Sequence, residues 1–91
     1  MPAPLDGVRV LEVANWLAAP AAAALMADLG AEVIKVEPLE GDAFRGFQMG
    51  SLGYQYEFAG NYGFELDNRG KRSVTVALDK PGGPELVRRL A

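Results

Sequence analysis

Residues 8–37, VRVLEVANWLAAPAAAALMADLGAEVIKVE, contain two β-branched runs separated by an alanine-rich run. The first run, residues 8–13, is apolar except for two charged positions and is typical of a buried parallel strand. Residues 18–29 are rich in Ala, Leu and Met, the best helix formers, and Gly30 stands where a left-handed residue ends a helix. Residues 32–37 resemble a second strand. Together they predict a right-handed βαβ unit with parallel strands.

The remainder of the chain extends this α/β pattern. Residues 73–78 are predicted as a third strand, which follows a polar turn with three cations at residues 67–73 and precedes another helix. The alanines of the first helix occupy every face, so we expect it to be buried between the sheet and another layer. The stretch 43–66 is rich in aromatic residues and glycine, and a loop this long is usually functional or ordered by a partner. Ligand contact and interface packing both remain open for it.

Composition excludes several classes of protein. The 91 residues are 49% hydrophobic with a net charge of −3, which is typical of a globular domain and not of a nucleic-acid-binding protein. No apolar run approaches the ~20 residues of a membrane-spanning helix. The N-terminus lacks a basic region and an apolar signal core, so we expect a cytoplasmic protein. Cysteine and histidine are absent, so we expect neither disulfides nor a metal cofactor.

The sheet is predicted to lack enough cover. Parallel sheets need helices on both faces, and the helix begun at residues 82–91 has no capping signal at its end. We therefore expect the chain to be part of a longer polypeptide and to be inactive by itself.

Ligands in open α/β sheets bind beyond the carboxyl ends of the strands. Residues 15–20 follow the first strand there, although they lack the G-x-G-x-x-G pattern of dinucleotide sites. Trp16 in this segment packs in a core or interface, or contacts a ligand. Glu12 is interpreted as a solvent-facing carboxylate or a salt-bridge partner. Glu37 ends the second strand, where an acid binds ribose in dinucleotide-binding domains, but without the glycines this is a weak signal.

Two motifs of the chain are specific, DLGAEVIKVE at residues 28–37 and NRGKRS at residues 68–73. Shorter motifs are PLDGVRVLE (4–12), AAP (18–20), Gly41-Asp42, Arg45-Gly46, Pro81 and Gly83. In this order and spacing they resemble the N-terminal segment of class III CoA-transferases, a family that also includes α-methylacyl-CoA racemases and carnitine-related CoA-transferases. The resemblance therefore covers nearly the whole chain.

The resemblance implies an α/β, Rossmann-like CoA-binding domain, with residues 1–91 as its N-terminal part. It also implies an interlocked homodimer that moves CoA between an acyl-CoA and a carboxylic acid acceptor. The catalytic aspartate of the family lies beyond residue 91, so no catalytic residue is assigned here. Contacts with coenzyme A are implied after the first and third strands, at Leu17, Ala18, Val76, Ala77, Leu78, Asp79 and Lys80. Asp79 replaces a family lysine, which makes Lys80 the expected phosphate-binding cation.

Two alternatives remain open. Within the same family, the protein could be an acyl-CoA racemase, and the residues that would separate the two activities lie outside this chain. From a different class, it could be a non-catalytic nucleotide-binding or structural βαβ module.

Overall fold

The computed structural model describes residues 3–46 and 62–91 of the chain. Most of the aromatic stretch predicted as a long loop, residues 47–61, lies outside the described residues. In chain order the elements are strand β1 (Arg9–Glu12), helix α1 (Ala18–Asp28), strand β2 (Glu32–Glu37), a short 3-10 helix (Ala43–Gly46), helix α2 (Tyr62–Asp67), strand β3 (Lys71–Thr75) and helix α3 (Gly83–Leu90).

The three strands form one parallel sheet in the order β1-β2-β3. Glu12 of β1 lies opposite Lys35 of β2, and Glu37 at the end of β2 lies opposite Thr75 of β3. This confirms the predicted α/β fold with three parallel strands. Because the strands are parallel, their carboxyl ends lie along one edge of the sheet.

The predicted bounds of β3 were wrong. The strand begins at Lys71 and ends at Thr75, two residues before the predicted start and three before the predicted end. Lys71 resembles a turn cation in the sequence, but its ammonium points into the protein and lies 2.5 Å from a carboxylate oxygen of Glu12. This buried contact places Lys71 inside the strand.

The end of β3 is determined by the end of β2. The backbone N–H of Val76 donates to the carbonyl of Glu37 over 2.9 Å. Strand β2 itself ends at Glu37, and the carbonyl of the following Pro38 accepts from the N–H of Gly41 over 2.9 Å in a turn, so no strand continues beside residues 76–78. Residues 76–78 therefore belong to the connection beyond the sheet edge and not to the strand.

Helix α1 ends in the predicted glycine cap. Gly30 has a φ of 103°, and its N–H donates to the carbonyl of Ala27, while the N–H of Ala31 donates to Met26, both over 3.0 Å. These two bonds form a Schellman motif, which satisfies carbonyls of the last helical turn.

Within residues 3–46 and 62–91, helix α1 is covered on one face. Ala23 and Ala24 are buried, and Ala23 packs with Ala31 and Val33 in the hydrophobic core. Leu25 is 59% exposed, so the expected burial on every face is not found. Within the described residues, no helix is long and apolar enough to cross a membrane.

Candidate functional site

The predicted site residues all follow the carboxyl end of β1 or β3 and so lie along the same edge of the sheet. Strand β2 separates the two groups. A ligand that contacts both groups must therefore cross the end of β2.

The first group occupies the turn between β1 and α1. Leu17 is the N-cap residue of α1, and its side chain is 56% exposed. Ala18 is the first residue of the helix and is also exposed. The preceding Trp16 has a φ of 68°, and its ring lies 5.8 Å from that of Phe44. Trp16 is half exposed and not a core residue in this chain.

The second group lies between β3 and α3. Val76 is buried, Ala77 is half-buried, and Leu78, Asp79 and Lys80 are exposed. The carbonyl of Ala77 accepts from the N–H of Lys80, and the carbonyl of Lys80 accepts from the N–H of Gly83, both over 3.1 Å. These two bonds fold the connection into consecutive turns.

A cleft of about 430 Å³ opens at this connection. Val76, Ala77 and Lys80 line it from the β3 side, and Glu85, Leu86 and Arg89 line it from α3. The cleft therefore brings together three of the seven predicted residues. Its lining does not include the two residues after β1 or Leu78 and Asp79.

The wall of the cleft depends on a close approach at Gly83. A Cβ at this position would lie 2.2 Å from the carbonyl oxygen of Ala77. Only glycine allows the first turn of α3 to lie this close to the backbone after β3. Gly83 therefore allows α3 to approach the connection after β3, beside the cleft.

A buried charge cluster lies beside this edge and was not predicted. It consists of Glu12, Lys35, Asp42 and Lys71. The ammonium of Lys35 lies 2.5 Å from Glu12 and 2.8 Å from Asp42, and all three side chains are at most 4% exposed. The ammonium of Lys71 lies 2.5 Å from the other oxygen of Glu12 and donates to the carbonyl of Pro20 over 2.8 Å. Glu12 thus bridges two lysines, which confirms its interpretation as a salt-bridge partner.

Pairing favours the charged forms of Lys35 and Asp42, whereas burial prevails at Lys71. Burial alone would lower the pKa of Lys35, but its contacts with Asp42 and Glu12 outweigh burial and raise that pKa. Burial would raise the pKa of Asp42, but Lys35 and two backbone N–H groups lower it instead. For Lys71, burial prevails over the Glu12 contact and lowers the pKa. Buried charges are tolerated in such an arrangement because each has partners of opposite sign or hydrogen bonds.

Glu37 is the centre of a second group of polar contacts. Its two carboxylate oxygens accept from Arg45 over 2.6 and 2.7 Å, from the N–H of Asp42 over 2.8 Å and from the hydroxyl of Ser73. The Arg45 guanidinium, followed by the other donors, lowers the pKa of Glu37 to about 2. Both carboxylate oxygens of Glu37 are therefore hydrogen-bonded within the protein, unlike those of an acid that binds a ribose.

One sequence signal could have revealed the buried charge cluster. Glu12 and Lys35 interrupt two otherwise apolar strands with opposite charges, and adjacent pairing of the strands places them opposite each other. Asp42 gives no comparable signal, because it lies in a loop whose path back to the sheet is fixed by tertiary contacts.

Comparison with known proteins agrees with the motifs. Residues 5–91 match the sequence model of CoA-transferase family III. The chain belongs to this family. The succinate–glutarate CoA-transferase of Agrobacterium fabrum is 46% identical over a gapped alignment of 92 positions, which covers 96% of this chain and 22% of that protein. The (R)-2-hydroxy-4-methylpentanoate CoA-transferase of Clostridioides difficile is 38% identical over 86 residues, which cover 94% of this chain and 21% of that protein.

A solved structure shares the fold. A CAIB/BAIF family protein from Brucella suis matches 99% of this chain and 24% of its own length with a TM-score of 0.82 and 41% sequence identity. The family-III chain thus spans about a fifth to a quarter of the length of these similar proteins. The resemblance stated from the motifs and the predicted fold class are both confirmed.

Proposed function

We propose that residues 1–91 are the N-terminal part of the CoA-binding domain of a longer enzyme that moves CoA from an acyl-CoA thioester to a carboxylic acid. Similar proteins are named as CoA-transferases acting on dicarboxylic or hydroxy acids. The observation that carries the proposal is the open cleft at the carboxyl edge of the sheet, with Lys80 in its lining.

The edge has the chemistry that CoA requires. CoA combines an anionic nucleotide end with a long, mostly neutral pantetheine arm. Lys80 is exposed and lies beside the half-buried Ala77 and the apolar Leu86. A cation next to an apolar wall suits the phosphate and the adenine of one nucleotide. We place this end of CoA at residues 76–80 and direct the rest of the molecule across the end of β2 toward Leu17 and Ala18.

The residues of this chain bind and orient CoA in this proposal and do not carry the transfer step. The titratable side chains inside the edge, Glu12, Lys35, Asp42 and Glu37, are engaged with one another or with backbone groups. Within residues 3–46 and 62–91, no group of side chains is arranged to hold a metal ion. We infer that the catalytic aspartate of the family lies elsewhere in the longer polypeptide. The interlocked homodimer and the cytoplasmic location belong to the same proposal.

The activity is tested with the full-length protein, with succinyl-CoA and in parallel a chiral 2-methylacyl-CoA as donors, and with a panel of carboxylic acids that includes glutarate, malate and citramalate. Mass spectrometry should detect a new acyl-CoA formed at the expense of succinyl-CoA, with the total thioester conserved. Three results would contradict a transferase: thioester hydrolysis alone, inversion at the α-carbon of a chiral acyl-CoA without transfer, or acyl-CoA binding with no turnover on any acceptor. The second would indicate a racemase and the third a non-catalytic module.

The binding site is tested through Lys80. In the full-length protein, Lys80→Ala should raise the Kd for CoA by about threefold to tenfold and change that for dephospho-CoA much less, because an exposed lysine contributes a modest, salt-dependent attraction to the 3′-phosphate. Arg72→Ala is the matched control, since Arg72 is an exposed cation near the amino end of β3 that pairs with Glu32. Calorimetry should find the control unchanged. If the Lys80 variant and the wild type bind CoA with equal affinity, Lys80 does not contact CoA.

A further inference from the structure

Asp42 connects three separate segments at the carboxyl edge. One carboxylate oxygen accepts from the backbone N–H of Trp16 over 3.2 Å and from that of Phe44 over 2.9 Å. The other oxygen lies 2.8 Å from the ammonium of Lys35. The Asp42 side chain is fully buried, with 0% of its surface exposed, so it cannot touch a ligand without rearrangement.

The turn after β1 is held on both sides of Asn15 by this ion pair. Lys35 donates to the carbonyl of Ala14 over 3.3 Å, and Asp42 accepts from the N–H of Trp16. Between these two bonds the chain bends into Trp16, whose φ of 68° is left-handed. A non-glycine residue in this region is strained and persists only where its surroundings hold it.

The direction of the turn determines where Leu17 and Ala18 lie. Trp16 immediately precedes the N-cap residue Leu17, so a change in its backbone angles would rotate the start of α1 relative to the sheet edge. The ring of Trp16 also packs against Phe44, whose own N–H is bound by Asp42. The same carboxylate thus fixes both the backbone of Trp16 and the residue on which its ring rests.

We propose that Asp42 is a positioning residue, which binds the backbone of Trp16 so that Leu17 and Ala18 face the pantetheine side of CoA. This role rests on the proposed function, because it assigns the turn after β1 to CoA. It assigns no ligand contact to Asp42 itself. Lys35 supports the role by orienting the carboxylate and by binding the carbonyl of Ala14.

The test uses the full-length protein and two ligands in calorimetry, CoA and adenosine 3′,5′-bisphosphate. The bisphosphate contains only the part of CoA that we place at residues 76–80. Asp42→Ala should raise the Kd for CoA by about tenfold, since about 1.4 kcal/mol of orienting hydrogen bonds corresponds to that factor. The same Asp42→Ala variant should change the Kd for the bisphosphate by less than about twofold.

Asp42→Asn is the conservative variant. Asparagine keeps a carbonyl oxygen that can accept from Trp16 and Phe44, and it should restore CoA affinity to within about threefold of the wild type. Equal weakening of both ligands would show a general structural role and overturn the proposal. Unchanged CoA affinity in the alanine variant, or no rescue by asparagine, would overturn it as well. Failure of the wild type to bind CoA would instead refute the proposed function, which is a distinct result.

Discussion

The carboxylate of Glu37 is nearly inaccessible to solvent, with a side chain that is 2% exposed, yet it remains ionised because Arg45 binds both of its oxygens. The guanidinium of Arg45 also lies 4.2 Å above the ring of Phe64. Through these contacts Glu37 fixes the 3-10 helix and α2 against the end of β2. The loop that carries Asp42 therefore has a defined position next to the turn after β1.

Acid should weaken this arrangement. The pKa of Glu37 falls from 4.5 to about 2 in the folded protein, so its contribution to stability is complete above about pH 4.5 and is lost as the pH falls toward 2. After allowance for the half-exposed Arg45, this contribution is on the order of 2 kcal/mol. Glu37→Gln in the full-length protein should lower the free energy of unfolding at neutral pH and make it less dependent on acid. Urea denaturation at neutral pH and near pH 3 measures both effects, and an identical acid dependence in the two proteins would contradict the pairing.

Of the two interpretations of Glu12, the salt bridge is confirmed, whereas the predicted turn position of its partner Lys71 was wrong. A single carboxylate in an apolar strand already suggests a salt bridge, and Lys35 with Lys71 supplies it. Lys71 was placed in a turn because three cations in succession usually lie in solvent. Burial of its ammonium depends on Glu12 and on the carbonyl of Pro20, which are 59 and 51 residues away along the chain. Local pattern carries no information about such partners.

At the scale of elements, the predictions that held are those with a local cause. The start of α1 at Ala18 and its glycine cap follow from helix propensity and from the left-handed conformation that glycine tolerates. The bounds of β3 depend on where β2 offers hydrogen-bond partners, and so they were missed. The same distinction applies to the predicted site. The turn after β1 and the connection after β3 could be predicted from local sequence, whereas the cleft depends on the packing of α3 against that connection and could not.

The packing of α3 against the connection after β3 can be tested with two adjacent glycines. Gly83→Ala should push α3 away from the carbonyl of Ala77, because its Cβ would meet that oxygen at 2.2 Å. Gly82→Ala is the matched control, since Gly82 has a φ of 90° but nothing within 4 Å of an added Cβ. We expect both variants to lose stability and only Gly83→Ala to weaken CoA binding severalfold in the full-length protein. Equal CoA affinities of the two variants, measured by calorimetry, would show that the approach of α3 does not shape the site.

At the scale of the whole molecule, the described part of the chain leaves many large apolar side chains in contact with solvent. More than two fifths of the surface of several large apolar residues is accessible to solvent, among them Val13, Leu25, Leu66 and Leu86. Within residues 3–46 and 62–91, most of the buried apolar side chains are small, namely Ala23, Ala24, Ala31, Val33, Val36 and Val76. Small buried side chains remove little apolar surface from water to offset the conformational entropy of the chain.

The isolated 91-residue chain should therefore fold poorly. We expect its circular dichroism to show no sharp, cooperative thermal transition, and we expect no transferase activity from it. The full-length protein is the control and should unfold cooperatively. A sharp transition in the isolated chain as a monomer would contradict this expectation and would mean that the exposed apolar side chains need no cover from the rest of the polypeptide.

We infer that CoA binds along the carboxyl edge of this sheet. Hydrogen–deuterium exchange of the full-length protein with and without CoA reports both proposed binding segments in a single experiment. We expect slower exchange at residues 15–18 and 76–80 when CoA is present, with no change at residues 25–29, at the exposed end of α1. If CoA binds but leaves both segments unprotected, or protects residues 25–29 instead, its site is not at this edge.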